Sequence, residues 1–304
     1  MFAWYLANEY WFAATQLTLA MLGMGATLKV SDFRDVLREP KAVLIGLMVQ
    51  LIAVPLMTWG IIQTVSLEAG VLVGLALIAA IPGGTVSNIY TYLARGNIPL
   101  SISITAVTTL GCLVSTPIIM GLLISEYMPA DFEMPAAQIA IEIAVFLLLP
   151  LMLGMLCYHL FPKRAELISK WGVRGSMLVI VAIVIGSAGA GRLDTEAFGL
   201  DNMLIIGGFF VGLILVGAIP PAMAGLSRPD TVAIEVEVAV RNTNLGLLIK
   251  ASLFPAVAGQ MDPVGDFVLF TLLLYGALQI FIGLLWAAWR RYQIGLDSGS
   301  AQSM

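Results

Sequence analysis

The sequence has 304 residues, 60% of them apolar and 11% charged, with a net charge of −4 at pH 7 and a mean hydropathy of +0.96. Soluble domains carry about 25% charged residues, so this composition belongs to a chain embedded in lipid, and its acidic balance excludes the basic surface that nucleic-acid binding requires. Cys112 and Cys157 lie in separate apolar runs without the paired spacing of a disulfide framework or a metal centre.

The start, Met1-Phe2-Ala3-Trp4, lacks the basic region of a removable signal peptide. Trp4, Tyr5, Tyr10 and Trp11 read instead as an interfacial aromatic belt. A helix needs roughly 20 apolar residues to cross the bilayer. Such runs fall near 8–28, 41–63, 69–94, 98–125, 136–160, 173–191, 203–224, 231–250 and 265–289, which predicts an all-α polytopic membrane protein of about nine transmembrane helices. Twelve Lys and Arg residues occupy alternate loops, among them Lys29, Arg34, Arg95, Lys163, Arg228 and Arg290, whereas the opposite loops hold Arg192 and Lys250. Positive charge marks the cytoplasmic side, so the N-terminus is expected outside, the C-terminus inside, and 291–304 as a short cytoplasmic tail. An odd count fits an inverted repeat of helices 1–4 and 6–9, a recurrent transporter plan in which helix 3 matches helix 8.

Those two spans are the polar ones. Span 3 contains Pro82-Gly83-Gly84-Thr85-Val86-Ser87-Asn88, and a proline followed by two glycines breaks a helix. Lipid cannot satisfy the freed backbone groups, so the break faces protein or a water-filled cavity. A plain proline kink is the competing account. Span 8 contains Glu235, Glu237, Arg241, Asn242, Thr243 and Asn244 in mid-run. Each charge at the bilayer centre costs roughly 2.5–3.5 kcal/mol, and a Glu237–Arg241 pair at i, i+4 would lower that cost. An ion site is the alternative, compatible with such a pair. In span 4, Ser101 and Thr105 share a face, with Thr108 or Thr109 one turn on, and supply the oxygen ligands that hard cations prefer. Glu142, His159 and Lys250 read as interfacial or helix-end residues.

Several of these stretches resemble the bile acid:sodium symporter family: Gly23-Met24-Gly25-Ala26-Thr27-Leu28-Lys29 with Ser31-Asp32-Phe33, Gln50 with Pro55, Pro82 through Asn88 with Thr91 through Asn97, and Glu237 through Asn242. The resemblance runs from about residue 15 to 290. It implies a panel sub-domain (about 8–40 and 136–191; helices 1, 5 and 6) and a core sub-domain (about 41–135 and 203–290; helices 2–4 and 7–9), with interrupted helices 3 and 8 crossing in the core. It implies a first sodium site of Ser87, Asn88, Ser101, Thr105 and Glu237. A second would use Gln50, Glu237, the backbone carbonyls of Val238 and Val240, and a glutamine in a position that here is Arg241. A guanidinium has no acceptor and stays charged, so the expectation is one bound Na+ rather than two, with no organic cofactor. Arg241 would pair with Glu237 or anchor a substrate carboxylate. Cleft candidates are Thr85, Asn242, Thr243, Asn244 and Arg241.

The expected function is sodium-coupled symport of a small organic anion, bile-acid-like or carboxylate, by alternating access in the cell (inner) membrane, with no obligate protein partner. Alternatives are a sodium-independent or proton-coupled carrier, a receptor or channel of the same fold, and a metalloid-oxyanion exporter, which would be expected to place a cysteine at the broken motifs. An intramembrane enzyme is disfavoured: the buried polar groups suit ion coordination, and the chain has no HExxH motif.

Overall fold

A computed structural model of the chain describes residues 2–29, 31, 40–84, 86–127, 134–257 and 262–301, with side chains through 294. The expectations for Thr85, Asp32, Phe33 and Arg34 lie outside the described residues. The helices, in chain order, are α1 (Phe2–Ala7), α2 (Glu9–Gly25), α3 (Pro40–Thr64), α4 (Ala69–Ala80), α5 (Ser87–Leu93), α6 (Ile98–Ile124) and α7 (Ala136–Leu160). They continue with α8 (Pro162–Gly189), α9 (Thr195–Phe198), α10 (Leu200–Met223), α11 (Arg228–Ala239), α12 (Thr243–Leu253) and α13 (Pro263–Ala301). Among the described residues, six are long and apolar enough to cross a membrane: α3, α6, α7, α8, α10 and α13.

Two expected boundaries move. The helix predicted to start at 173 begins at Pro162, which carries Lys163, Arg164 and Lys170 from a loop into the helix. Proline suits that start, because its missing N–H falls among donors that have no partner in a first turn. The last helix continues to Ala301, so most of the expected polar tail is a helical extension.

Two helices widen locally. Residues Val49–Ala53 of α3 and Ile143–Leu148 of α7 are π-helical, and each stretch lies just before a proline, Pro55 and Pro150. A helical proline lacks an N–H and its ring presses on the carbonyl four residues back, here Leu51 and Phe146. A turn of i→i+5 pitch relieves that contact, and in α3 it re-aims Gln50 into the interior.

The packing divides into two sets. Helix α2 lies against α7 and α8 along glycines. An added Cβ at Gly25 or Gly154 would strike the facing backbone, and one at Gly172 would sit 2.8 Å from Leu19 O. These backbones are in direct contact, which suits a rigid unit. The second set comprises α3–α6 and α10–α13, with α10 on α11 and α13, and α4 between α6 and α13. The largest interface between the sets is α2 on α12.

Candidate functional site

The chain breaks between α4 and α5 and again between α11 and α12, and the two gaps meet. Gly83 and Arg241 form a single antiparallel bridge. Gly84 N donates to Val240 O at 2.6 Å and Asn242 N to Pro82 O at 3.0 Å. Each gap therefore supplies the partners that the other lost, as buried backbone polar groups require. The same need accounts for the flanking side chains. Ala80 O, at the end of α4, accepts from Thr116 of α6 at 2.9 Å; Ala239 O, at the end of α11, accepts from Tyr275 of α13 at 2.6 Å. Arg241 N donates to Gln279 Oε1 at 3.0 Å. Gly84 allows the approach, since a Cβ there would stand 2.8 Å from Arg241 O.

The Glu237 side chain points from α11 into this crossing and is fully buried. Its Oε1 accepts from Ser101 Oγ at 2.6 Å and its Oε2 from Thr105 Oγ1 at 2.8 Å. Ser101 Oγ also lies 2.8 Å from Asn88 Oδ1, and Thr105 Oγ1 lies 2.9 Å from Ser101 O. Each hydroxyl has one proton to offer two acceptors. Ser87 Oγ sits 3.5 Å from Thr105 Oγ1, and Thr91 donates to Ser101 Oγ at 3.0 Å. The result is a largely buried cluster with more oxygen acceptors than protons, and one carboxylate. That donor set fits a hard monovalent cation. Among the described residues no group of three His, Cys, Asp or Glu offers the ligand set of a transition metal.

All five residues expected at the first sodium site thus converge. Thr108 instead donates to Ile104 O at 2.8 Å, an ordinary helix back-bond.

The second expected site is occupied differently. Arg241 is buried, and its Nη1 donates to Ile81 O at 3.0 Å. With its amide oriented to suit its neighbours, Gln50 Oε1 accepts from Arg241 Nη1 at 3.2 Å and from Gly83 N at 3.0 Å. The Val240 carbonyl is engaged by Gly84 N. The expected Glu237–Arg241 ion pair does not form among the described residues. The i, i+4 argument assumed one continuous helix, whereas α11 ends at Ala239 and Val240 is extended (φ −99°, ψ 93°). Arg241 therefore leaves the face that carries Glu237, and the carboxylate bonds to the hydroxyls of α6.

Asn242 caps α12 through Leu245 N, Thr243 is half-buried, and Asn244 Oδ1 accepts from Gln16 of α2 at 2.6 Å. Gln16 Nε2 also reaches Ser176 Oγ of α8 at 3.2 Å. Thr91, Thr116, Tyr275, Gln279 and Gln16 were not anticipated from sequence. An isolated amide in an apolar run, as at Gln16 and Gln279, was the one available signal. Three more charged residues have interior partners, Lys250 among them from the last turn of α12, the helix-end place expected of it. Lys250 and Glu142 are buried, Lys250 against Glu9, and Glu142 accepting from Ser252 at 2.7 Å. Glu235 is buried and pairs with Arg290 of α13 at 2.7 Å.

Comparison with known proteins gives concordant similarities. A family described as the sodium bile acid symporter family matches residues 14–190, a range that stops before the second gap. The chain is 31% identical over 241 residues to YocS of Bacillus subtilis, an uncharacterized sodium-dependent transporter, across 78% of this chain and 73% of that one. It is 30% identical over 244 residues to BASS2 of Oryza sativa subsp. japonica, a probable chloroplastic sodium/metabolite cotransporter, across 80% of this chain but only 57% of the relative. It is 28% identical over 249 residues to the human ileal sodium/bile acid cotransporter, covering 79% and 69% of the two chains.

Proposed function

Since this chain belongs to the sodium bile acid symporter family and is therefore a membrane transporter rather than an enzyme, we propose that it couples the entry of one sodium ion to symport of an organic anion. The observation that carries the reading is the proton-poor oxygen cluster around Glu237. Ser87, Asn88, Ser101, Thr105 and Glu237 would hold the ion. Sodium would supply the charge that the buried carboxylate lacks, and the neutral oxygens would replace its hydration shell.

Arg241 takes the place of the second ion. Its guanidinium contacts Gln50 and the Ile81 carbonyl, and it is a cation that cannot dissociate. The site then keeps the electrostatic balance of two bound ions while exchanging one.

The helices carry alternating access as follows. Counted with α4/α5 and α11/α12 as two interrupted spans, the chain crosses nine times, as inverted repeats of helices 1–4 and 6–9. The panel is α2, α7 and α8, and the core is α3–α6 with α10–α13. Support comes from the glycine contacts within the panel and from the matched hydroxyl caps at Ala80 and Ala239. In this reading the N-terminus lies outside and the C-terminus inside the cell (inner) membrane, an orientation that the distribution of Lys and Arg supports. Substrate, a bile-acid-like or small carboxylate anion, binds between core and panel beside Asn242, Thr243 and Asn244, with Thr85 outside the described residues.

One experiment tests the ion reading: melting of the purified protein in sodium against potassium at fixed ionic strength, for the parent, Glu237→Ala and Arg241→Gln. A ligand selective for the folded state raises the melting temperature. Stabilisation of the parent by sodium that Glu237→Ala abolishes is the expected result. A parent indifferent to sodium beside a responsive Arg241→Gln would overturn it. The arginine would then have replaced the driving ion itself, and the protein would be a sodium-independent carrier.

A further inference from the structure

At the end of α12 remote from the crossing, four charged side chains form one buried lattice. Lys250 Nζ donates to Glu9 Oε1 and Oε2 at 2.8 and 3.0 Å. Arg192 Nη1 donates to the same Glu9 Oε1 at 2.8 Å, and Arg192 Nε donates to Asp266. Lys250 is fully buried, and the other three are nearly so.

The lattice is divided evenly between the two packing sets. Glu9 begins α2 and Arg192 follows α8; Lys250 lies on α12 and Asp266 on α13. Each set holds one cation and one anion, so both remain neutral if they part. Two further polar links join the same faces, Gln16 to Asn244 and Glu142 to Ser252. Inside the panel, by contrast, backbones touch at glycines. Polar pairs can exchange partners with water when they separate; close-packed glycine contacts have no such substitute.

The fold is also lopsided. The half-helix α12 packs extensively on α2, whereas its counterpart α5 packs on α6, α11 and α13. We infer that the Glu9–Arg192–Lys250–Asp266 lattice is a gate between panel and core, latched in this conformation, and that it must break whenever the transporter opens on the Lys250 side. The inference rests on the core-and-panel reading above. It assigns Glu9, Arg192, Lys250 and Asp266 to the control of access, with no contact to ion or substrate.

Ala13 provides the readout. It is buried and lies on the α2 face between Glu9 and Gln16, at spacings of four and three residues. In a Cys112→Ser/Cys157→Ser background, Ala13→Cys is reacted with a membrane-impermeant maleimide in nanodiscs, with and without Lys250→Met. Removing one partner of a buried pair weakens the closed state strongly, so the labelling rate should rise at least about tenfold. An unchanged rate in folded Lys250→Met protein overturns the gate. Should that variant fail to fold, Asp266→Asn at the edge of the lattice is judged by the same criterion. Sodium-dependent melting of the same samples is read separately. Faster labelling without a sodium response leaves the gate standing and removes sodium coupling; a sodium response with unchanged labelling does the reverse.

Discussion

Gly83→Ala perturbs the proposed ion site without deleting any ligand. A Cβ at position 83 would collide with Glu237 Oε2, while its distance to Glu237 O, 3.4 Å, is ordinary contact. The backbone can therefore stay and the carboxylate must turn, which breaks the 2.8 Å bond from Thr105 Oγ1. A hydrogen bond to a charged group contributes about 1.5–3 kcal/mol, so sodium affinity should fall roughly ten- to hundredfold. At a sodium concentration of about 100 Kd the parent gains about 2.7 kcal/mol; the variant at the same concentration should gain about 0.4–1.4 kcal/mol. Sodium titrations followed by melting temperature measure this directly. Gly111→Ala is the control, because a Cβ there meets nothing within 4 Å. If Gly83→Ala responds to sodium as the parent does, the Glu237 carboxylate is not an ion ligand and the proposed site is wrong.

Gly84→Ala should damage the fold rather than the ion affinity, because its Cβ would stand 2.8 Å from the Arg241 carbonyl, which cannot rotate away. Overpacking of this kind costs about 1–3 kcal/mol and should appear as a lower melting temperature in sodium and potassium alike. Tyr275→Phe and Thr116→Val should each lower stability by about 1–3 kcal/mol in both salts, since each strands a buried carbonyl at a helix end. Arg241→Gln, if it folds, should bind two sodium ions per chain where the parent binds one, as read by isothermal titration. Ser101→Ala should weaken sodium stabilisation, because it removes the oxygen shared by Asn88 and Glu237.

The two breaks were legible because their causes are local. Pro82-Gly83-Gly84 cannot continue a helix, and a run holding Glu237, Arg241, Asn242 and Asn244 cannot face lipid. The meeting of Ser87, Asn88, Ser101, Thr105 and Glu237 was legible because the family resemblance joined positions on three different segments. The errors share another cause. Lys250 does lie in the last turn of α12, as expected, but its burial went unseen because its partner, Glu9, is 241 positions away, and helical periodicity describes one element's faces, not its neighbours. The burial of Glu142 was missed for the same reason, its shortest contact being with Ser252, 110 positions away. The Glu237–Arg241 pair failed because a spacing rule for helices was carried across a point where the helix has stopped.

The crossing also bears on how the chain is made. If α4 and α5 form one interrupted span, as proposed, they enter the bilayer during synthesis long before residues 240–242 exist. Until then the Ile81 and Pro82 carbonyls and the Gly84 amide lack the partners that Arg241, Asn242 and Val240 later provide. Unpaired backbone groups are poorly tolerated in hydrocarbon, so the first half of the protein is an unfinished object that insertion machinery or water must shelter. A chain terminated between α10 and α11 would keep that defect permanently. Such a fragment should be cleared by proteolysis even though each of its long helices can span the bilayer.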